Sequence, residues 1–434
     1  GSRTTNAQGW KAGAAKVEIT PEKPMWMSGY ASRGKPAEGK LTPLWAKSLA
    51  LQDAEGRKAV LVTMDLIGID RGLGQEIRKR LSRDLGLSSE AIALCTSHTH
   101  CGPVVGDNLR SMYFLDEEQR KLVDEYAETL RDKIIAAVRE SVGKLAPAEL
   151  FWSSGRSTFA VNRRNNRGDV RQARALGRLK GPVDHDVPVL SVRDPDGKLK
   201  AVVFGYACHA TTLSFQQWCG DWPGFAQAEV EKTHPEAVAM FWAGCGADQN
   251  PLPRRSVELA QQYGRQLAAA VEVELRGTPT PVEPRLTTSY QEIDLDYAEL
   301  PSRERLKQDA ESKNRFLASR AKMLLKQWDD EGGLRKTYPY PVQIWKLGSD
   351  VTFVLLGGEV TVGYALRLKK EMTGRSTWVA GYSNDVMAYI PTLKVLREGG
   401  YEGGGAMLYY GLPSPWAPSV ESKIINEVHR QRKQ

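Results

Sequence analysis

Cysteine and histidine are scarce in this chain: five cysteines and six histidines among 434 residues. Five cysteines at this length do not make a disulfide framework. None forms a CxxC pair, which argues against a structural zinc ribbon. Most of Cys95, Cys101, Cys208, Cys219 and Cys245 are expected to be small buried hydrophobes. Long apolar runs are also missing, and nothing approaches the roughly 20 residues that a membrane span requires. The longest candidates, 59–69 and 351–356, read as buried strands. A 41% hydrophobic share, 26% charged residues and 40 glycines exclude disorder, collagen and coiled coil. No signal peptide precedes Gly1, and because Gly1-Ser2 resembles a cloning scar, the compartment stays open.

Positive charge is in modest excess, with a net charge of +8, which weakly favours anionic partners. It concentrates in residues 162–180, where Arg163, Arg164, Arg167, Arg171, Arg174, Arg178 and Lys180 face the single acid Asp169. This stretch is either a solvated, mobile loop or a rim that attracts an acidic substrate or an anionic surface. It lacks interleaved aromatics and no nucleic-acid motif accompanies it, so nucleic acid is not an expected partner.

Strand-like and helix-like segments alternate along the chain. Residues 45–51 and 58–64 read as neighbouring strands, followed by a helix over 74–85 and a buried strand over 91–96. A periodic helix runs from Asp116 to about 142, with acids suited to its positive end. Strands 187–192 and 200–207 are joined by the turn Asp194-Pro-Asp-Gly197. Strand 237–242 feeds a glycine-rich loop and a helix over 256–275. One long helix is expected over 301–330, then strand 350–356 and helices over 362–372 and from 419 to the end. No internal repeat, linker or clean boundary is visible. The expectation is an α/β fold (mixed α+β) with central β-sheets flanked by helices. A flexible tail over 1–10 would precede a single large domain with insertions over 11–434.

Three of the six histidines sit at strand–loop junctions. His98 and His100 lie in Thr96-Ser-His-Thr-His-Cys-Gly-Pro103, and His209 lies in Ala207-Cys-His-Ala-Thr-Thr212. If the strand over 91–96 continues, residues two apart point to one side, so both imidazoles face one cavity. Zinc takes ligands converging from different strands and leaves a position for water, so these histidines are candidate ligands. A carboxylate usually completes such a site. Glu359, in Leu355-Leu-Gly-Gly-Glu-Val-Thr361, is the best candidate, and the glycines before it suggest close backbone approach. Tyrosines in 381–392 and 399–405 are expected over a pocket. Asp65, Asp221 and Asp248 read as strand-end, turn or capping residues, with Asp65 bonded locally.

The ordered set THTHCGP, ACHATTLS, AGCGADQNP, LLGGE, GYSNDVMAYIPT and GGYEGG resembles the catalytic domain of the neutral/alkaline, non-lysosomal ceramidases. The resemblance covers most of the chain, from GAAKVEITP to the region of Tyr410. It implies a secreted or periplasmic, zinc-dependent amidohydrolase of sphingolipid metabolism, with Zn2+ held by His98, His209, Glu359 and Tyr389. It further implies His100, Arg163 and Tyr401 as catalytic or substrate-contacting residues. The chain departs from that pattern in three places: no room for a C-terminal immunoglobulin-like domain, Val386 where a tyrosine often stands, and no glycine-aromatic run after Pro103.

The expected reaction is hydrolysis of an N-acyl (amide) bond in a small-molecule or lipid substrate by metal-activated water. Arg163 and Tyr401 would stabilise the oxyanion, and His100 would pass a proton to the leaving amine. An alternative ligand set is His98, His100 and His209, with Glu359 as general base. The rival substrate is a polar or anionic acylated compound such as a modified sugar. A rival of another class is a non-catalytic binding protein on the same scaffold.

Overall fold

Apolar β-branched runs such as KAVLVTM at Lys58–Met64 and VTFVLL at Val351–Leu356 form strands with most side chains buried. A computed structural model describes residues 9–372, 374 and 376–434. Most of the tail expected over 1–10 lies outside the described residues. Trp10, however, opens the strand Trp10–Glu18 and is only 3% exposed, so that boundary falls earlier than expected.

A nine-stranded sheet runs in the order Val238–Ala243, Leu199–Tyr206, Asp186–Arg193, Ala146–Arg156, Trp10–Glu18, Trp45–Gln52, Lys58–Met64, Ile92–Thr96. The short strand Thr280–Pro281 pairs with Ala146–Arg156 off this path. A second sheet of four strands runs Leu286–Asp296, Thr337–Leu347, Val351–Leu356, Ser376–Ala380. Helices cover these sheets, so the mixed α/β architecture expected from the sequence is the one adopted.

The expected absence of a repeat does not hold at the level of topology. Three antiparallel neighbours, a crossover helix and a strand parallel to the third form a unit that occurs three times. Its first copy is Trp10–Glu18, Trp45–Gln52, Lys58–Met64, helix Arg71–Leu85 and Ile92–Thr96. The second is Ala146–Arg156, Asp186–Arg193, Leu199–Tyr206, helix Asp221–Thr233 and Val238–Ala243. The third is Leu286–Asp296, Thr337–Leu347, Val351–Leu356, helix Val362–Glu371 and Ser376–Ala380. Buried strands accept many apolar residues of suitable volume, so topology persists where sequence similarity does not.

The first two units join through Trp10–Glu18 and Ala146–Arg156. Their outer edges both meet the third unit, through the bridges Gly244↔Ala380 and Cys95↔Ser383. Trp242 packs there on Phe353, with ring centroids 4.9 Å apart. This closure brings the loops after Ile92–Thr96 and Leu199–Tyr206 together, although those strands lie far apart in the sheet.

Several helix boundaries follow local rules. Asp116 accepts from Gln119 N–H at the start of Glu117–Gly143, and Ser256 from Leu259 N–H at the start of Val257–Arg276. The single helix expected over 301–330 is instead two, Arg303–Ala310 and Arg315–Glu331. Asn314 accepts the N–H groups of Phe316 and Leu317, which starts a new helix where charge periodicity alone reads as continuous. All five cysteines are free and buried. Among the described residues no helix is long and apolar enough to cross a membrane.

Candidate metal centre

Each topological unit contributes at least one polar residue to a buried cluster. His98 follows the last strand of the first unit, His209 the third strand of the second, and Glu359 the third strand of the third. His98 is 1%, His209 1% and Glu359 3% exposed, so these groups are held almost entirely away from bulk water.

The strand before the His-x-His pair ends at Thr96 and does not continue as expected. His98 has φ 64°, a left-handed conformation that costs a non-glycine residue about 1–2 kcal/mol. Its ring is turned inward and its Nδ1 faces Ile67 O at 2.7 Å. His100 reaches the same cavity from the loop, its carbonyl held by the Arg33 guanidinium at 2.6 Å. Strand alternation is therefore not what aligns the two imidazoles. His209 is fixed through its own Nδ1, 2.8 Å from Gly246 O, and by Trp222 Nε1 donating to its carbonyl.

Glu359 and Tyr389 are direct partners in the short parallel pair Glu359–Val360 and Tyr389–Ile390. The glycine before Glu359 is needed there. Gly358 has φ 75°, and a Cβ on it would lie 2.7 Å from Ala388 O. The close approach expected from the two glycines is thus toward the strand that carries Tyr389.

His98 Nε2 lies 3.1 Å and His209 Nε2 3.2 Å from Glu359 Oε2. His100 Nε2 lies 3.1 Å from His98 Nε2, and the Tyr389 hydroxyl lies 3.3 Å from His209 Nε2. Nδ1 of His98 and of His209 faces a carbonyl, which can only accept, so each ring in its neutral form turns a bare Nε2 lone pair inward. Oε2 of Glu359 has no hydrogen-bond donor among the described residues. Lone pairs converging on one point without a proton between them suit a divalent cation with nitrogen and oxygen ligands. His98, His100 and His209 form a second possible ligand group, one ring nitrogen of each lying within 4.8 Å of the others. His98 and His209 belong to both sets.

Burial raises the Glu359 carboxyl, but His98 and His209, whenever either ring carries a proton toward it, outweigh burial and hold the group well below its ordinary range. Burial pushes His209 down to about 4, helped by the Arg163 charge. Burial and the neighbouring imidazoles hold His100 well below its usual value. At neutral pH His100 and His209 are therefore neutral and Glu359 is a carboxylate.

Around this core, Arg163 Nη2 donates to the Tyr389 hydroxyl at 3.0 Å. Its Nε donates to Glu402 Oε1 at 2.6 Å, while Arg164 takes Oε2 of the same carboxylate at 2.7 Å. Tyr401 stacks edge-on against Tyr389 at 5.1 Å and is 43% exposed, so it sits at the mouth. From it an aromatic wall continues through Tyr409 and Phe316 to the exposed Phe114. Val386 is buried and packs against Gly68.

Two participants were not singled out from the sequence. Tyr410 donates to Glu359 Oε1 at 2.5 Å, and Glu402 joins the two arginines. The only signal for either was their place in or just after the glycine-rich segment 399–405. The three aspartates left off the site are structural. Asp248 accepts from Val362 N–H, capping the third unit's helix instead of its own. Asp221 accepts from Leu213 and Trp222 N–H. Asp65 accepts from Trp45 N–H and Gln227, contacts reaching well beyond the expected strand end.

Beneath Glu359 the buried Asp385 carboxyl, accepting from Tyr338 OH at 2.6 Å, is pushed up to about 7 by burial. The unfolded chain releases this proton near pH ~4, while the folded chain keeps it to about 7. Between those values the folded state binds more protons, so stability falls as pH rises. Urea midpoints from pH 4 to 8 should show Asp385→Asn removing a slope of up to about 1.4 kcal/mol per pH unit.

The sequence profile of the family described as neutral/alkaline non-lysosomal ceramidase, N-terminal, matches residues 10–249, more than half of the chain. Neutral ceramidases of Drosophila pseudoobscura pseudoobscura and Drosophila melanogaster are 24% and 23% identical over 212 residues. That match spans 47% of this chain and only 29% of each relative. A crystal structure of neutral ceramidase from Pseudomonas aeruginosa superposes with TM-score 0.73 at 21% identity, over 98% of this chain and 75% of that one. A structure described as ceramidase complexed with C2 also gives 0.73, at 20% identity, over 96% and 74%. At these identities the structures establish a shared fold. The sequence match over residues 10–249 establishes kinship, and the chain belongs to the neutral/alkaline non-lysosomal ceramidase family.

Proposed function

We propose that this protein is a zinc-dependent amidohydrolase that cleaves an N-acyl bond, with ceramide-like compounds as the reference substrates. The observation that carries the reading is the convergence of His98 Nε2 and His209 Nε2 on the unpartnered Glu359 Oε2. Support for the substrate class comes from the relatives, which are named neutral ceramidases, and from the aromatic wall between Tyr401 and Phe114, which offers apolar surface to an acyl chain.

His98, His209, Glu359 and Tyr389 would hold the ion. Bound zinc supplies Lewis acidity at the amide carbonyl and water acidified to a pKa near ~7. Arg163 orients the Tyr389 phenol and, with Tyr401, faces the mouth as a candidate donor to developing negative charge. His100 has an Nδ1 without a hydrogen-bond partner, so it has a site free to carry a proton toward the leaving amine. Tyr410 restrains the second oxygen of Glu359 and fixes the carboxylate plane.

Metal content should be one zinc per chain. Hydrolysis of a fluorogenic N-acyl sphingosine should stop on chelation and return with added zinc. Protein that takes up no metal even when zinc is supplied contradicts the mechanism. Zinc without ceramide turnover retains the site and redirects the substrate to polar acylated compounds.

The three-histidine set is the second reading, favoured by the mutual proximity of its ring nitrogens. His100→Ala separates the two. Stoichiometric zinc with turnover lowered about 100-fold or more is expected for a proton-transfer role. Loss of zinc would instead make His100 a ligand.

A further inference from the structure

Cationic side chains gather beside His100. Tyr30 packs on the His100 ring at 4.8 Å, and the Arg33 and Arg255 guanidinia lie over the Tyr30 ring at 4.9 and 5.2 Å. Arg255 Nη1 donates to the Tyr30 hydroxyl at 2.9 Å and to Thr211 O at 3.0 Å. Arg254 Nη1 donates to Thr211 Oγ1 at 3.3 Å. Thr211 lies two residues after His209, so both arginines are tethered to the loop that carries a candidate metal ligand.

These guanidinia face no acid in contact. Among the described residues neither Arg254, Arg255 nor Arg33 forms an ion pair, and the contacts of Arg33 are carbonyls. The nearby buried Asp221 spends its oxygens on backbone N–H groups of Leu213 and Trp222. Arg255 is held at φ 92°, a left-handed position unusual for a side chain of this size. Burial, the Arg255 charge and the Arg163 charge all push Arg254 below the ordinary guanidinium range. Arg254 is half-buried, Arg255 is exposed beside it, and no carboxylate is in contact with either, so an anion bound between them relieves like-charge repulsion that Asp221 offsets only from a distance.

Three arginines of the basic stretch that first suggested an acidic partner are already engaged. Arg163 and Arg164 share Glu402, and Arg174 is occupied by the carbonyls of Thr158, Phe159 and Leu252.

We propose that Arg254 and Arg255 bind an anionic group carried by the amine portion of the substrate, so that this protein prefers acidic N-acyl amines over neutral ones. The inference rests on the hydrolase reading, because His100, beside Tyr30, is the residue assigned to the leaving amine. Guanidinium–carboxylate contacts of this kind are among the stronger hydrogen bonds in proteins.

Binding to metal-stripped protein, measured by calorimetry, tests the inference without turnover. The probes are N-octanoylglycine and its uncharged glycinamide. The charged probe should bind at least about tenfold more tightly, with a preference that shrinks as sodium chloride is raised. R254Q/R255Q should lose that preference, while R254K/R255K, which keeps the charge, should retain part of it and so separate charge from folding. Equal affinity of the two probes, or a preference that survives in R254Q/R255Q, overturns the proposal. Inorganic phosphate binding as tightly as N-octanoylglycine would overturn the assignment to the substrate.

Turnover by zinc-loaded protein then distinguishes the two layers. Preferential binding with hydrolysis of neither these probes nor a ceramide leaves the anion site standing and contradicts the hydrolase. Hydrolysis of both probes at equal kcat/KM leaves the hydrolase and contradicts the anion site.

Discussion

Glu359→Ala should abolish zinc binding and lower amide hydrolysis by about a thousandfold or more, since metal stabilisation of the transition state is worth several kcal/mol. Among the described residues the carboxylate is the one anionic group paired with both His98 and His209, and the Gly358 backbone before it packs closely on Ala388 O. The metal-free variant should remain folded, because the substitution removes a buried charge whose Oε2 has no donor. Zinc should therefore raise the melting temperature of the native protein and leave that of the variant unchanged. Metal analysis and thermal melts with and without zinc check this together. A variant that keeps stoichiometric zinc would move Glu359 to the general-base role of the three-histidine alternative.

The largest stability effect is expected where the first two topological units meet. Lys47 is 2% exposed, and its Nζ donates to Glu231 Oε1 and Ala239 O, each at 2.8 Å. Glu231 sits on helix Asp221–Thr233 of the second unit, while Lys47 lies in strand Trp45–Gln52 of the first. Glu231→Ala leaves a buried ammonium without its paired carboxylate, a change that costs about 3–5 kcal/mol. Urea unfolding at pH 7 measures it. The nearby Asp65 supplies partial compensation, which favours the lower end of the range.

Burial already lowers the Lys47 ammonium below its ordinary value, and Glu231 opposes that shift. Without Glu231 the folded chain gives up the proton more readily than the unfolded chain does. The variant should then recover stability as pH rises toward about 10.4, the usual lysine value. Lys47→Met with Glu231→Gln should regain much of the loss, because a packed uncharged pair avoids the desolvation cost. A double variant no more stable than Glu231→Ala would show that packing at this junction, not charge, dominates.

Local chemistry made part of the structure readable from sequence. Asp116 and Ser256 cap helices where their side chains and following apolar periodicity indicate, because capping depends on neighbours within three residues. Strands at Lys58–Met64 and Val351–Leu356 are similarly local, being apolar β-branched runs bounded by turns. The same reasoning failed at 311–314, where Asn314 outweighs charge periodicity, and at Thr96, where the strand ends before His98.

The candidate ligands were visible as scarce residue types at strand–loop junctions and as an ordered set of motifs. Their alignment was not. The inward lone pairs of His98 and His209 depend on Ile67 O and Gly246 O, which lie 31 and 37 residues away. Glu402 reaches Arg163 across 239 residues and Tyr410 reaches Glu359 across 51. Arg254 and Arg255 lack an ion pair, whereas Glu402 and backbone carbonyls satisfy Arg163, Arg164 and Arg174 of the basic stretch that is conspicuous in sequence. By itself the sequence determined element types, caps and the chemical identity of the candidate donors, all set by residues close along the chain. The tertiary structure decided the threefold topology, the meeting of two sheet edges on a third unit, the tautomers and the counter-charges. Those depend on which distant atoms share a low-dielectric space, and that is specified only once the strands have closed.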